Sequence, residues 1–255
     1  NFKSTQMIPI KTSEELGIMA EGGKILASIM RQLEEKVKPG IKAIELDRAA
    51  EALILKFGGK CSFKGYEGFP ACLCVSINEE IVHALPSERI LKEGDIVSLD
   101  LGIQWKGFHT DMALTLGVGK ITDEARKIIK TTREALEVGI KEVKPGNHFG
   151  DIGFTVQQYA ENRGFNVVRD LCGHGIGKEL HEDPQIMNFG EKGRGPEIKG
   201  GMVFCIEPMI TVGSCKIKRS KDGFGWLASD DSLACHFEQT IAVIENGCRV
   251  LTKFS

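Results

Sequence analysis

The sequence carries the same pattern twice, and this repeat limits the folds that the chain can adopt. Residues 91–102 read LKEGDIVSLDLG and residues 198–209 read IKGGMVFCIEPM. Each run has a glycine turn followed by an apolar, strand-like stretch that ends in an acid, Asp100 in the first copy and Glu207 in the second. Because internal self-similarity of this kind indicates a duplicated structural unit, we expect the two acids to occupy equivalent places in two similar halves.

A second strand-like run follows in each copy. HTDMALTL begins at residue 109 and HFEQTIAV at residue 236, and both runs have an acid at their third position, Asp111 and Glu238. Alternating and β-branched residues follow each acid, which favours strands. The second copy is longer between its acids, and the polar, glycine-containing stretch from Thr211 to Ser232 predicts an extended hairpin or loop. The halves should pack about a pseudo-twofold axis, with two acids from each.

Each half also begins with two predicted helices. Apolar residues recur at helical spacing from Glu14 to Val37 and from Thr122 to Val143, and both runs lead into Val-Lys-Pro-Gly, where proline cannot continue a helix. A second helical run then ends at Gly58 in the first half and at Gly164 in the second. Helices followed by strands in each half predict an α+β fold with an antiparallel sheet.

These features define the predicted domain organisation. Residues 1–12 form an N-terminal extension, whose first six residues precede Met7 and are interpreted as a cloning remnant or a processed end. Residues 13–255 form a single domain, in which the copies of the repeat cover 12–119 and 121–244. The whole chain is long enough to bury a sizeable core.

Composition excludes several classes of protein. Hydrophobic residues make up 42% and charged residues 27% of the chain, as in globular proteins and unlike disordered ones. Lysine and arginine total 33 against 35 acidic residues, so there is no general basic surface for nucleic acid or an anionic membrane. No apolar run approaches the roughly 20 residues of a membrane-spanning helix. We therefore expect a soluble, cytoplasmic protein that binds no membrane and no specific nucleic-acid sequence.

The cysteines favour a reducing compartment. All eight are scattered through apolar stretches without a CxxC pair, so they resemble neither a zinc ligand set nor the disulfide framework of a small secreted domain. An even number is compatible with disulfides, but the compartment argues against them. We interpret as reduced thiols Cys61, Cys72, Cys74, Cys172, Cys205, Cys215, Cys235 and Cys248.

Four acids and one histidine form a candidate metal centre. The acids lie at the ends of apolar runs, where a carboxylate is costly to bury unless it is paired or binds a cation. For any one of them an exposed turn is the simpler interpretation, but all four recur at matching positions of the repeat. The histidine, His174, lies in Cys-Gly-His-Gly-Ile-Gly, and because no helix follows this run it is not a dinucleotide-binding turn. Carboxylate oxygens and an imidazole nitrogen are suitable ligands for a pair of manganese, iron(II), cobalt or zinc ions.

Three motifs together resemble one known family. Residues 76–86 read SINEEIVHALP, residues 173–177 read GHGIG and residues 206–209 read IEPM. With the acids, they resemble the pita-bread fold of methionine aminopeptidases, creatinase, aminopeptidase P and prolidase, in which two related α/β halves surround a dinuclear metal site. The 255 residues leave no room for the extra N-terminal domain of prolidases or the insert of type II methionine aminopeptidases. The resemblance, from about residue 13 to the end, is to the type I enzymes.

This resemblance implies a reaction and the residues that carry it. Two divalent ions (cobalt, manganese, iron(II) or zinc) and a hydroxide shared between them would remove an N-terminal methionine that precedes a small residue. Glu207 would be the proton shuttle, His83 would hydrogen-bond the scissile amide nitrogen, and His181 would stabilise the carbonyl oxygen as charge develops. The implied metal ligands are Asp100, Asp111, His174, Glu207 and Glu238.

The resemblance also implies an apolar pocket for the methionine side chain. Sulfur packs well against aromatic edges, so such a pocket suits this guest. For each of its residues, packing in the core is an equally good interpretation. Positions 180 and 224 are commonly Phe and Trp in bacterial relatives, so Leu and Phe here predict a roomier pocket. Together with His83 and His181, the residues implied to bind the substrate are Phe63, Tyr66, Phe69, Cys74, Leu180 and Phe224.

Two other functions fit the same fold. One is hydrolysis of Xaa-Pro peptides, as in aminopeptidase P and prolidase; the other is a non-catalytic module that binds peptides or proteins. Retention of all five ligands and of both auxiliary histidines argues against the second. The expected partners are the N-termini of nascent polypeptides and of peptides, with association with the ribosome, and we expect a monomer.

Overall fold

The computed structural model describes residues 8–253. Within them lie four helices: α1 (Ser13–Glu34), α2 (Ala43–Phe57), α3 (Asp123–Lys141) and α4 (Phe149–Glu161). A short 3-10 helix spans Tyr66–Gly68. The strands are β1 (Lys60–Cys61), β2 (Leu73–Ile77), β3 (Glu80–Val82), β4 (Ile96–Trp105), β5 (Phe108–Gly117), β6 (Asn166–Val167), β7 (Cys172–Gly175), β8 (Glu182–Met187), β9 (Val203–Ile206), β10 (Met209–Thr211), β11 (Ile217–Arg219), β12 (Trp226–Ala228), β13 (Ala234–His236), β14 (Glu238–Ile244) and β15 (Gly247–Val250).

The helices form where the apolar spacing predicts them, but the first helix of each half ends earlier. α1 ends at Glu34 rather than Val37, and α3 ends at Lys141 rather than Val143. In the first half the backbone N–H of Val37 donates to the carbonyl of Glu34, a tighter turn than the α-helix has. The proline that follows two residues later disfavours helical backbone in the residue before it. The chain therefore leaves the helix before the Pro-Gly turn.

The main sheet has a symmetric strand order. Its path is β1-β4-β5-β14-β9-β7-β8, with β2 also paired to β4 and β15 to β14. The central strands β4, β5, β14 and β9 are antiparallel neighbours. Strands β4 and β5 come from the first copy of the repeat and β9 and β14 from the second, so the two copies meet between β5 and β14. The predicted α+β pita-bread architecture of two related halves is confirmed, whereas the exact domain and repeat boundaries stay predictions.

One face of the sheet is covered by the helices, and the other carries the acids. Leu99 and Leu101 of β4 are fully buried in the large core that also contains helix residues. Side chains alternate between the faces of a strand, so Asp100 points away from the helices. In the same way Asp111 alternates with the buried Met112. The repeat thus brings its acids to one face, near the centre of the sheet.

The stretch from Thr211 to Ser232 contains the predicted hairpin. Strands β11 and β12 pair with each other, and β12 also pairs with β3 in a small separate sheet. The turn of this hairpin carries Phe224, whose ring meets that of Phe69 edge to face with the centroids 5.6 Å apart. The hairpin therefore supplies one wall of the cavity described below. Between residues 8 and 253, no helix is both long and apolar enough to cross a bilayer.

The interpretation of all eight cysteines as reduced thiols is wrong for two of them. Cys61 and Cys72 form a disulfide, with a Cα–Cα distance of 5.3 Å. Strands β1 and β2 lie end to end along the same edge of β4, because Cys61 pairs with Ile103 and Leu73 with Leu101. This arrangement brings together two cysteines that the sequence separates by 11 positions. The other six are free.

Candidate active site

The four predicted acids converge at the centre of the sheet. Asp100 on β4 and Glu238 on β14 both pair with Ala113 of β5, so they flank the same residue on neighbouring strands. Asp111 lies two residues before Ala113 on β5. Oxygen atoms of Asp100, Asp111 and Glu238 lie within 4.8 Å of one another. Three carboxylates therefore share one small volume inside the protein.

His174 and Glu207 complete the group from the other side. The Nε2 atom of His174 lies 3.7 Å from Oε1 of Glu207 and 3.8 Å from Oε1 of Glu238. The pairing of β7 with β8 is irregular just after His174. A Cβ atom on Gly173 would lie 2.3 Å from the carbonyl oxygen of Cys205, and one on Gly175 would lie 2.2 Å from that of Asp183. The glycines beside His174 therefore allow backbone to approach closely.

The pKa values of the buried carboxylates indicate that they need a positive charge beside them. Burial raises the pKa of Asp111 to about 7. The pKa values of Asp100, Glu207 and Glu238 are raised well above their ordinary range, first by burial and then by repulsion from the neighbouring acids. Buried oxygens of Asp100, Asp111 and Glu238 also have no hydrogen-bond partner within the protein. Because buried carboxylates need a compensating partner, this group fits divalent cations.

The donor atoms are oxygens and one imidazole nitrogen. His174, Cys205 and Glu238 form one possible ligand group, and Asp100, Asp111 and Glu238 form another, so Glu238 belongs to both. Burial raises the pKa of the Cys205 thiol well above its ordinary value, and Glu238 and Asp111 raise it further. A protonated thiol is a poor metal ligand. The remaining donors are hard ones, of the kind that manganese, iron(II), cobalt and zinc accept.

Two further histidines that the sequence singled out lie beside this group. The imidazole rings of His174 and His181 meet edge to face with centroids 4.3 Å apart, and Nδ1 of His181 lies 2.8 Å from the hydroxyl of Tyr66. His83 has a backbone φ of 59°, a left-handed conformation that is uncommon outside glycine. Desolvation lowers the pKa of His83 to about 4 and also lowers that of His181. Both rings are therefore neutral at physiological pH.

The acids and histidines open into a cavity of about 270 Å³. Its apolar part is formed by all six residues predicted for the methionine pocket, of which Phe63, Phe69, Cys74 and Leu180 are at most 9% exposed. All five predicted metal ligands and both predicted auxiliary histidines also line this cavity. The residues in question are Phe63, Tyr66, Phe69, Cys74, His83, Asp100, Asp111, His174, Leu180, His181, Glu207, Phe224 and Glu238.

Comparison with known proteins places the chain in a family. Residues 17–245 match the metallopeptidase family M24. The chain belongs to this family. The curated "Methionine aminopeptidase" of Clostridium perfringens is 48% identical over 246 residues, which are 96% of this chain and 99% of that protein. M24 is a metallopeptidase family, so divalent metal ions belong to its chemistry, in agreement with the carboxylate cluster.

Solved structures of the family have the same fold. The crystal structure of a methionine aminopeptidase from Thermotoga maritima superposes with a TM-score of 0.95 at 42% identity and covers 97% of this chain and 100% of its own. A prolidase from Pyrococcus furiosus reaches a TM-score of 0.75 at 25% identity, and the match covers 96% of this chain but 66% of the prolidase. The resemblance to methionine aminopeptidases is thereby confirmed, and the Xaa-Pro alternative has less support.

Sequence reasoning missed three residues of this M24 site. Glu67 and Arg219 line the cavity from the segment after β1 and from β11, and their positions depend on how distant segments fold together. His236 is 1% exposed, and its Nε2 atom lies 3.6 Å from Oε2 of Glu207. Burial lowers the pKa of His236 to about 3, so it is neutral. Its position two residues before Glu238 was a usable signal, because alternate residues of extended chain share a face.

Proposed function

We propose that this M24 metallopeptidase removes the N-terminal methionine from nascent proteins and peptides and prefers a small second residue. The observation that carries the proposal is the shared cavity, in which buried acids and neutral histidines lie directly beside an apolar pocket. The cavity of about 270 Å³ has room for one amino-acid side chain beside the acids. A pocket of this kind suits an exopeptidase that holds a single terminal residue.

We propose that the five ligands hold two divalent ions, which are cobalt, manganese, iron(II) or zinc. Asp100 and Asp111 would hold one ion and His174 and Glu207 the other, and Glu238 lies within reach of both groups. When bound, such ions supply Lewis-acid polarisation of a carbonyl and activation of water at neutral pH. The buried oxygens without partners support this assignment.

Glu207 is the proposed proton shuttle. Burial and the neighbouring Asp111 raise its pKa well above the ordinary value, which is the direction that a general acid-base carboxyl needs. Its side chain is 11% exposed and lies against the imidazoles of His174 and His236. It can therefore deliver a proton toward the leaving amine without competition from bulk water.

His181 and His83 are the proposed hydrogen-bonding partners of the scissile bond. Burial raises the pKa of Tyr66, so its hydroxyl keeps its proton and can donate to Nδ1 of His181. This favours the tautomer in which Nε2 of His181 carries hydrogen and can stabilise the carbonyl oxygen as charge develops. His83 lines the same cavity and, as a neutral imidazole, can hydrogen-bond the amide nitrogen.

The apolar pocket supports methionine as the terminal residue. Phe69 and Phe224 meet edge to face at 5.6 Å, and Phe63, Tyr66 and Cys74 line the same space. A thioether is flexible enough to fill such a space and packs well against aromatic rings. We further propose that the protein acts in the cytoplasm, where new N-termini emerge, and that it works there as a monomer beside the ribosome.

The decisive experiment compares two peptides. The metal-reconstituted protein should release methionine from Met-Gly-Met-Met and leave Gly-Pro-Ala intact. Glu207→Gln should lower kcat at least about a hundredfold, because general acid-base catalysis contributes factors of that size. Glu245→Gln, at an exposed turn, is the matched control and should keep full activity. Cleavage of the proline peptide alone would favour the prolidase-like function, and full turnover by Glu207→Gln would refute the role of that residue.

A further inference from the structure

A buried ion pair lies beneath the turn that carries two site histidines. The Nζ atom of Lys11 lies 2.5 Å from Oε2 of Glu182, and the two side chains are 5% and 10% exposed. Every other lysine or arginine ion pair between residues 8 and 253 has both side chains at least 23% exposed. Exposed pairs contribute little, whereas each partner of a buried pair depends strongly on the other. Among the ion pairs of the described residues, this is therefore the one that can fix a segment of backbone in place.

The acid of this pair is directly attached to a candidate catalytic residue. Glu182 follows His181 in the chain and pairs with Gly175, the residue after His174. The segment between Gly175 and Glu182 is therefore a closed turn with one site histidine beside each end. The carboxylate of Glu182 also accepts a hydrogen bond of 3.3 Å from the backbone N–H of Glu179, within the same turn. Glu182 consequently holds the turn together from inside.

The ion pair packs against the middle of the turn as well as its end. A Cβ atom on Gly177 would lie 2.6 Å from Cε of Lys11 and 2.7 Å from Oε1 of Glu182. The carbonyl of Gly177 accepts a hydrogen bond of 2.7 Å from the backbone N–H of His109, on β5. The turn is therefore supported from below by the ion pair and from the side by the sheet.

Lys11 is itself fixed to the body of the protein. Its backbone N–H donates to the carbonyl of Gly201 at 2.8 Å, just before β9. The next residue, Thr12, caps α1 through a hydrogen bond from the backbone N–H of Glu15. The segment that precedes α1 therefore presents a rigidly anchored ammonium group to Glu182.

We propose that Lys11 and Glu182 are positioning residues for His181. Their ion pair fixes the backbone beside His181, so that the imidazole stays between the Tyr66 hydroxyl and the ring of His174. This inference rests on the proposed function, in which His181 stabilises the carbonyl oxygen. A segment outside the sequence repeat thereby becomes part of the catalytic apparatus without touching the substrate.

The test is a double-mutant cycle on methionine release. Lys11→Met keeps the aliphatic stem but removes the charge, and we expect it to lower kcat about tenfold to a hundredfold with little change in KM, because small misplacements cost that much. In the His181→Ala background the same change should lower kcat less than about twofold, because no imidazole is left to position. Lys11→Arg should restore most of the activity. Lys106→Met, which breaks the exposed pair with Glu21, is the matched control and should leave kcat unchanged.

A spectroscopic readout separates positioning from the proposed reaction. In the metal-free protein labelled with ¹⁵N at histidine, Lys11→Met should shift or broaden the imidazole signals of His181 and leave those of His83 in place. Unchanged His181 signals, or equal losses of kcat with and without the His181 imidazole, would overturn the proposal. If His181→Ala keeps full kcat while Lys11→Met still shifts the His181 signals, the proposed catalytic role of His181 is refuted. The inference that Lys11 positions His181 is then retained. Should Lys11→Met not fold, Glu182→Gln takes its place in both measurements.

Discussion

The burial of Asp111 predicts that removal of one carboxylate will stabilise the metal-free protein and destabilise the metal-loaded one. In the folded state its pKa is about 7, against an ordinary value of 3.8. Between these values the folded protein retains a proton that the unfolded chain has released. Stability contributed by a group with a raised pKa is present at low pH and is lost as pH rises through the folded value. Asp111 therefore costs stability at neutral pH when no cation is bound.

The size of this cost follows from the difference of about three pH units. Each unit corresponds to about 1.4 kcal/mol, so Asp111 costs about 4 kcal/mol at and above neutral pH. Its charge also raises the pKa values of Asp100, Glu207 and Glu238, so its removal relieves them in the same direction. The quantity to follow is the free energy of unfolding of Asp111→Asn minus that of wild type. In the metal-free protein, we expect this difference to increase by about 4 kcal/mol between about pH 4 and about pH 8.

The assay is urea denaturation of both proteins in the presence of a chelator. The histidines with lowered pKa values, such as His83 and His174, add stability as pH rises, but they are present in both proteins and largely cancel in the difference. With saturating Mn²⁺ the sign should reverse, because the variant lacks a proposed ligand. Each ion bound at about 1,000 times Kd stabilises the wild type by about 4.1 kcal/mol, so two ions outweigh the cost of about 4 kcal/mol. Asp123→Asn, at an exposed helix start, is the control. A pH-independent difference, or a variant that is less stable without metal at high pH, would refute this reasoning.

Two further predictions concern the metals and the disulfide. Titration with a divalent ion should reveal two unequal sites, because His174 lies beside Glu207, whereas the candidate group of Asp100, Asp111 and Glu238 includes no histidine among the described residues. We expect the site with His174 to be the tighter one, so His174→Ala should weaken only that site, and calorimetry that fits two identical sites would contradict this. Replacing both Cys61 and Cys72 by serine should lower the free energy of unfolding by about 3 kcal/mol, since a disulfide that closes a short loop stabilises by about that amount. Because the loop carries Phe63, Tyr66 and Phe69, KM for a methionyl peptide should also rise. The control Cys248→Ser should change neither the stability nor KM.

The sequence predicted the central sheet well because its signals are local and occur twice. The alternation around Asp100 and Asp111 fixes which face of each strand is buried, and the matching positions of Glu207 and Glu238 imply that all four acids meet. The cluster itself follows from this, and the structure adds its geometry. His174 was harder, since glycine-rich runs occur in many kinds of loop, and it depended on the resemblance of neighbouring motifs.

The features that the sequence missed depend on contacts between distant segments. The disulfide forms because β1 and β2 share an edge of β4, and nothing near Cys61 or Cys72 indicates this. Arg219 reaches the cavity only because its hairpin pairs with β3. Lys11 lies before the first periodic segment, in the predicted N-terminal extension, yet it is only 7% exposed. In each case the deciding information is tertiary packing, which overrides local preference.

The junction between β5 and β14 makes the two halves of the protein depend on each other. The strands are paired at Ala113 with Glu238 and at Met112 with Gln239. The hydroxyl of Thr240 bridges the junction, since it accepts from the backbone N–H of Asp111 at 2.9 Å and donates to the carbonyl of the same residue at 2.7 Å. Neither half carries all five proposed metal ligands. Because these hydrogen bonds join the strands that carry Asp111 and Glu238, the register between the two halves depends on Thr240, a residue outside both candidate ligand groups.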